Sequence, residues 1–304
     1  MKQGVTLIAI GRYGYLQWAI NMACSLKFHS PGVPVQLIVG KPLWPDAQVA
    51  HSKYGLFDFI TCIEESEYTE AGKLFPAKLK TDFYKHLIFD ETIYLDVDGV
   101  IIKDITPLFS IKSDFASDVQ GIYDLSHGED FNCMKWAKPA NVWFHFGLKP
   151  TDKLPALNSS FVFIRKGALC ESIFAKAKEL LHTNPLPQEL QWHPWGKARK
   201  TKINQPDELY FNVALAQLGI TPEHAQAIHF RMANESGPYV SLTDLQANYY
   251  GIGLFGELRV NHQSLREHYN KHMRQCWQAV IGNKTGEPFS AKCEPLSQSK
   301  FVIQ

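Results

Sequence analysis

Apolar strands alternating with amphipathic helical stretches predict an α/β fold with a mainly parallel central sheet flanked by helices. The run VTLIAIG at residues 5–11 is apolar and ends in glycine, as a central strand buried on both faces does. The next stretch, GYLQWAINMACSLKFHS, places Leu16, Ala19, Ile20, Ala23 and Leu26 at helical spacing. The alternation then repeats through VPVQLIVG, FDFITCIEE, the helical FPAKLKTDFYKHLI and the strand ETIYLDVDGVII, which runs into acidic residues.

The second half is less regular. Residues 121–157 read as an aromatic and polar loop containing Trp136, Trp143, Phe144, His145 and Phe146. A strand, NSSFVFIRKG, begins at Asn158, and IFAKAKELLH reads as a short helix after it. A loop with Trp192, Trp195 and the cations Lys197, Arg199, Lys200 and Lys202 leads to the helix PDELYFNVALAQLG, with Pro206 at a favoured first-turn position. No linker or repeat divides the chain, so residues 1–281 are expected to form a single domain and 282–304 a polar arm or tail.

Composition bounds the function. The chain has 304 residues, 45% hydrophobic and 20% charged, enough for a large core. A formal net charge of +1 lacks the basic excess of a nucleic-acid partner. No apolar run approaches the roughly 18 to 20 residues of a transmembrane helix. The amino-terminal run stops at Gly11 and Arg12, too soon for a secretory signal. The six cysteines, Cys24, Cys62, Cys133, Cys170, Cys276 and Cys293, never form a C-x-x-C pair, so reduced, mostly buried thiols in a cytoplasmic protein are expected.

In parallel α/β sheets ligands bind beyond the carboxyl ends of the strands, where both Gly11 and the pair Asp96/Asp98 fall. Two aspartates with one residue between them can serve one hard divalent cation, which best neutralises the charge on a diphosphate leaving group. LDVDGVI also looks like the opening motif of haloacid-dehalogenase-type phosphohydrolases, with Asp96 as nucleophile and Asp98 as acid/base. That motif usually sits on the first core strand, whereas three predicted strands precede it here. The later acidic pair such enzymes need for magnesium is not evident after residue 104.

Four segments together resemble the family 8 glycosyltransferases, over residues 5–110 and in islands at 157–167 and 204–219. They are VTLIAIGRYGY with ACSLK, then AKLKTDFYKHLIFDETIYLDVD with ITPLF, then LNSSFVFIRKG, and finally QPDELYFN. The resemblance implies a GT-A fold and a metal-dependent transfer, with retention, from a nucleotide-diphosphate sugar donor. The donor expected is a UDP-sugar, the cation manganese or magnesium, and the acceptor an unidentified carbohydrate or glycoconjugate.

By that likeness Ala9, Gly11 and Tyr15 hold the nucleoside, Lys78 contacts the diphosphate, and Asp96, Val97 and Asp98 line the donor, with the two aspartates on the cation. Asn158 and Ser159 stand near the transferred sugar, with Ser160 replacing the family's usual glycine, and Asp118 is set against donor hydroxyls. Asp207 and Glu208 fall near the anomeric carbon, as stabilisers of positive charge or as a transient nucleophile. Gly99 departs from the family's bulkier residue. The family's carboxyl-terminal histidine motif is missing, which leaves His262, or else His229, as third metal ligand. The tryptophans and cations of the irregular segments are candidates for acceptor contact. A protein that binds nucleotide-sugars without turnover is the non-enzymatic alternative.

Overall fold

The computed structural model describes residues 2–128, 136–191, 205–225, 227–229, 241–253 and 263–285. In chain order these hold β1 (Gln3–Ala9), α1 (Tyr13–His29), β2 (Val35–Gly40), α2 (Trp44–Tyr54), β3 (Phe59–Ile63), β4 (Thr69–Glu70), β5 (Lys73–Leu74) and α3 (Pro76–Lys80). There follow β6 (Glu91–Leu95), β7 (Gly99–Ile101), β8 (Phe115–Asp124), α4 (Pro139–Phe146), β9 (Lys153–Arg165), α5 (Ala168–Thr183) and α6 (Asp207–Leu218). The last elements are β10 (Glu223–His224), β11 (Ile228–His229), α7 (Leu242–Asn248), β12 (Gly251–Gly253) and α8 (Gln263–Trp277). No helix among the described residues is long and apolar enough to cross a membrane.

The chain divides into two compact units. The first comprises Met1–Ile63, Glu91–Ser110 and Gln226–Gln304, and the second Glu64–Asp90 and Ile111–Ala225. In the first unit β6, β1, β2 and β3 lie side by side, all parallel, with Val5 opposite both Ile93 and Val35. β2 and β6 are buried along their whole length and β1 from its second residue on, because helices cover a parallel sheet on both faces. One polar row crosses the sheet: Thr6 Oγ1 donates to Gln36 Oε1 and Gln36 Nε2 donates to Thr61 Oγ1, each at 2.9 Å.

Every residue of the helical stripe read from the sequence, Leu16, Ala19, Ile20, Ala23 and Leu26, is buried in α1. Asn21 and Ser25 are buried too, because α1 also packs against β7 and α8. Ser25 Oγ donates to Met22 O and accepts from Ile101 N, which ties β7 to the helix. β7 pairs antiparallel with β12, and β12 pairs with β11, in a small separate sheet.

In the second unit β8 and β9 run antiparallel, β10 adds to β8 in parallel, and α5 and α6 pack together, with α6 against β9. Asn212 Oδ1 in α6 accepts from Leu157 N at 3.1 Å, fixing the helix to the strand. Tyr210 OH donates to Gln205 Oε1 and accepts from Leu186 N, so the start of α6 is clamped to the segment that follows α5.

Two expectations change. The stretch expected as one helix over FPAKLKTDFYKHLI is α3 followed by a 3-10 turn at Phe83–His86. Thr81 Oγ1 donates back to the carbonyls of Ala77 and Lys78, a local alternative that competes with the helical ladder. The expected loop over 121–157 contains the end of β8, the helix α4 and the first residues of β9, which begins at Lys153 rather than Asn158. Pro155 hides that strand in the sequence, and it is tolerated because it lies beside an irregularity in the β8–β9 pairing.

Candidate active site

In the first unit β1 ends at Ala9, which is fully buried, and the chain turns at Gly11 with φ 78°, a conformation that favours glycine. Tyr15 in the first turn of α1 is half-buried, its ring edge-on to Trp18 at 5.4 Å between centroids.

The adjacent strand, β6, is buried up to Leu95 and gives out at Asp96. Asp96 and Asp98 are both partly exposed, and Val97 between them is buried at 6% exposure. The apolar side chain thus anchors the bend while the carboxylates flanking it reach solvent. Tyr94 OH donates to Asp96 Oδ1, which orients that carboxylate. Two partly exposed carboxylates with one oxygen held in place are a hard oxygen donor set, and they fit a magnesium or manganese ion.

The chain then enters β7 at Gly99. A Cβ added there would stand 2.7 Å from Ile252 O on the paired strand, which only a glycine avoids. Gly99 therefore follows from the close β7–β12 approach, and the glycine that suggested a phosphohydrolase has a packing cause.

The second unit gathers the other expected residues. The register of β8 with β9 jumps from Ser117 opposite Val162 to Asp118 opposite Asn158, so residues 159–161 bulge out of the ladder. Asn158, Ser159 and Ser160 are buried at this bulge, at 6%, 4% and 6% exposure. Asn158 Oδ1 accepts from Ser160 N at 3.1 Å and Ser160 Oγ at 2.6 Å, and Ser117 Oγ donates across to the carbonyls of Asn158 and Phe161. Bulges of this kind re-aim side chains and are frequent beside active sites.

Glu208, in the first turn of α6, accepts from Ser159 N at 3.4 Å, which brings the asparagine-serine strand and the acidic helix start together. Asp207 Oδ2 lies 3.5 Å from Lys80 Nζ, an ion pair without hydrogen-bond geometry, so that buried oxygen makes no hydrogen bond. Both acids also sit where the helix dipole favours negative charge. Lys78 Nζ donates to Thr69 O at 3.1 Å, while Lys80, two residues on, is the lysine that reaches Asp207. Nothing in the spacing AKLK distinguishes the two lysines; the turn of α3 does.

Asp118 is buried in the same bulge, and burial pushes its carboxyl up to about 7. His224 Nδ1 is 3.9 Å from Asp118 Oδ1 but accepts from Val119 N, so that nitrogen holds no hydrogen to offer the acid. His262 lies outside the described residues, as do Trp192, Trp195 and the basic cluster 197–202. For His229 only the backbone, in β11, is described. Of the aromatic candidates, Trp143 lies on α4 beside the exposed Phe144.

The sequence matches no protein-family profile, and no curated protein matches it in sequence. Solved structures do match in fold. A galactosyltransferase, LgtC, in complex with donor and acceptor sugar analogues, aligns over 91% of this chain and 99% of its own, with TM-score 0.55 and 13% identity. The bifunctional glycosyltransferase WbbM aligns over 93% of this chain but 52% of its own, at TM-score 0.57 and 11% identity. The glycosyltransferase GlyE of Streptococcus pneumoniae TIGR4 aligns over 93% of this chain and 63% of its own, at TM-score 0.52 and 15% identity. The chain thus has the α/β fold of the GT-A glycosyltransferases.

Proposed function

We propose that this chain is a glycosyltransferase that moves a sugar from a nucleotide-diphosphate donor, a UDP-sugar, to a carbohydrate or glycoconjugate acceptor. The observation that carries the reading is the pair Asp96/Asp98, partly exposed beyond the end of a buried strand in a chain with the GT-A fold. Asp96 and Asp98 would hold manganese or magnesium, which when bound offsets the charge that builds on a departing diphosphate.

The chain's own residues do the rest. Tyr94 fixes Asp96, and Val97 anchors the bend that presents both carboxylates. Ala9, Gly11 and Tyr15 receive the nucleoside at the end of β1, where the half-buried ring of Tyr15 can stack on a base. Lys78 and Lys80 bring positive charge for phosphate oxygens. Glu208 and Asp207 bring negative charge against the oxocarbenium-like centre that forms as the sugar leaves, a preorganised electrostatic contribution. Asn158, Ser159 and Asp118 orient sugar hydroxyls from the bulge. Retention is the expected stereochemical outcome, with His262 as the third cation ligand.

Titration calorimetry of UDP, with and without manganese, tests the reading on wild type and on Asp96→Ala/Asp98→Ala. Manganese-dependent UDP binding lost in the double variant supports it, and hydrolysis or transfer from a UDP-sugar completes it. Absence of UDP and GDP binding, with magnesium-dependent cleavage of a phosphate monoester, would overturn it in favour of a phosphohydrolase. Binding with neither hydrolysis nor transfer of any nucleotide-sugar would leave a binding protein.

A further inference from the structure

The first unit contains a second set of ligand-type side chains that sugar transfer does not use. α1 ends at His29, and α8 carries His272 and Cys276 four residues apart, so the latter two share one helix face. His29 Nε2 lies 2.9 Å from His272 Nε2, and Cys276 Sγ lies 3.5 Å from the same His272 nitrogen. Among the described residues this is the one group of three such side chains whose ligand atoms all lie within 4.8 Å of one another.

The two facing imidazole nitrogens compete for one hydrogen. His272 Nε2 faces not only His29 and Cys276 but also Ile101 O at 3.1 Å. A ring nitrogen carries at most one hydrogen, and two N–H groups cannot point at each other across 2.9 Å, so one hydrogen must serve both imidazole nitrogens. If it lies between the rings, the carbonyl faces a lone pair or nothing; if it points at the carbonyl, the two rings face each other unbridged. Unsatisfied buried polar atoms are costly, and a cation shared among the nitrogens and the sulfur would engage both facing nitrogens with no hydrogen needed between them.

We propose that His29, His272 and Cys276 bind a divalent cation of the zinc type, with water or a fourth donor completing the shell. Two nitrogens and one thiolate suit a borderline-soft ion and not magnesium or calcium. Zinc at its ordinary bond lengths and tetrahedral angles separates two nitrogens by about 3.3 Å and a nitrogen from a sulfur by about 3.5 Å. The sulfur already stands at its distance from His272, the rings need to part by a few tenths of an ångström, and His29 and Cys276, within 4.8 Å of each other, need to close on the ion. Burial holds both imidazoles below the usual histidine range, His29 at about 4, so their lone pairs are available at neutral pH.

Burial pushes the Cys276 thiol up to about 12, so the ion must displace its proton: the S–H bond breaks, the S–metal bond forms and one proton goes to solvent. On one side the half-buried His29 lines a cavity of about 400 Å³ together with Ser30, Asp104 and Thr106, while His272 and Cys276 lie buried behind it. Asp104, held as a carboxylate by hydrogen bonds from Ser30 and Thr106, places negative charge near the ion. Bound there, the ion would clip the end of α1 to α8.

Cobalt(II) titration of the reduced, metal-free protein tests this, since a cobalt thiolate has a charge-transfer band that cobalt on carboxylates lacks. One equivalent should produce the band, and zinc should then displace the cobalt. Cys276→Ser should abolish the band, and His29→Gln, at a partly exposed helix end, should weaken cobalt binding at least about tenfold with an unchanged far-ultraviolet spectrum. The band should persist in Asp96→Ala/Asp98→Ala, so its outcome is separate from that of the transferase reading. Zinc should raise the melting temperature of the wild type and not of Cys276→Ser. A folded wild type without the band, or a band that survives Cys276→Ser and disappears in Cys62→Ser, would overturn the proposal.

Discussion

At the residue scale, the burial of Asp118 has a consequence for stability. Its carboxyl sits near 7 in the folded chain, against about 3.9 when unfolded. The folded state therefore holds a proton that the unfolded state has released between those values, and stability falls as pH rises from about 4 to 7. The slope is at most about 1.4 kcal/mol per pH unit, levelling off above 7. Asp118→Asn keeps the shape and removes the titration. Its urea midpoint should match wild type near pH 4 and exceed it at pH 8; equal midpoints at pH 8 would mean that the carboxylate is solvated.

Gly99→Ala belongs to the same scale. With a Cβ 2.7 Å from Ile252 O, the substitution should cost about 1–3 kcal/mol in urea unfolding. Glu208→Gln retains an oxygen for Ser159 N, so the fold should hold while kcat for sugar transfer drops about a hundredfold or more. An unchanged kcat would remove Glu208 from the reaction.

At the element scale, the pairing of β9 with α6 shapes the second unit's part of the site. Asn212 is the clip, and Asn212→Ala leaves Leu157 N without its acceptor, at a cost of about 1–3 kcal/mol in denaturant unfolding. Because Glu208 lies one turn earlier on α6, the same variant should also weaken sugar-donor turnover; a change in stability alone would show that the bulge positions itself. The motif Asn158-Ser159-Ser160 was readable in the chain, but the bulge was not. A register jump is decided by which carbonyls Ser117 Oγ reaches across the ladder, and no period-two pattern along one strand encodes that. Lys80 escaped reading for a similar reason, since the choice between Lys78 and Lys80 depends on the short turn of α3.

At the scale of the whole molecule, ligand binding to the folded state raises apparent stability by mass action. UDP with manganese at about 100 times its dissociation constant should add about 2.7 kcal/mol, a shift of several degrees in melting temperature. The shift should need both components and vanish in Asp96→Ala/Asp98→Ala. A shift from UDP alone would separate nucleotide binding from the cation.

Strand and helix periodicity, the glycine turn after β1 and the acidic bend after β6 were determined by the sequence itself. Burial on both faces demands continuous apolar strands, and the helical stripe from Leu16 to Leu26 needs only local spacing. The tertiary structure alone decided that Gly99 is required by a strand more than 150 residues away in sequence, because close backbone approach is a property of paired strands. It also decided that His29 meets His272 and Cys276. Three donors separated along the chain form no motif, and only the packing of α1 against α8 brings their lone pairs to one point.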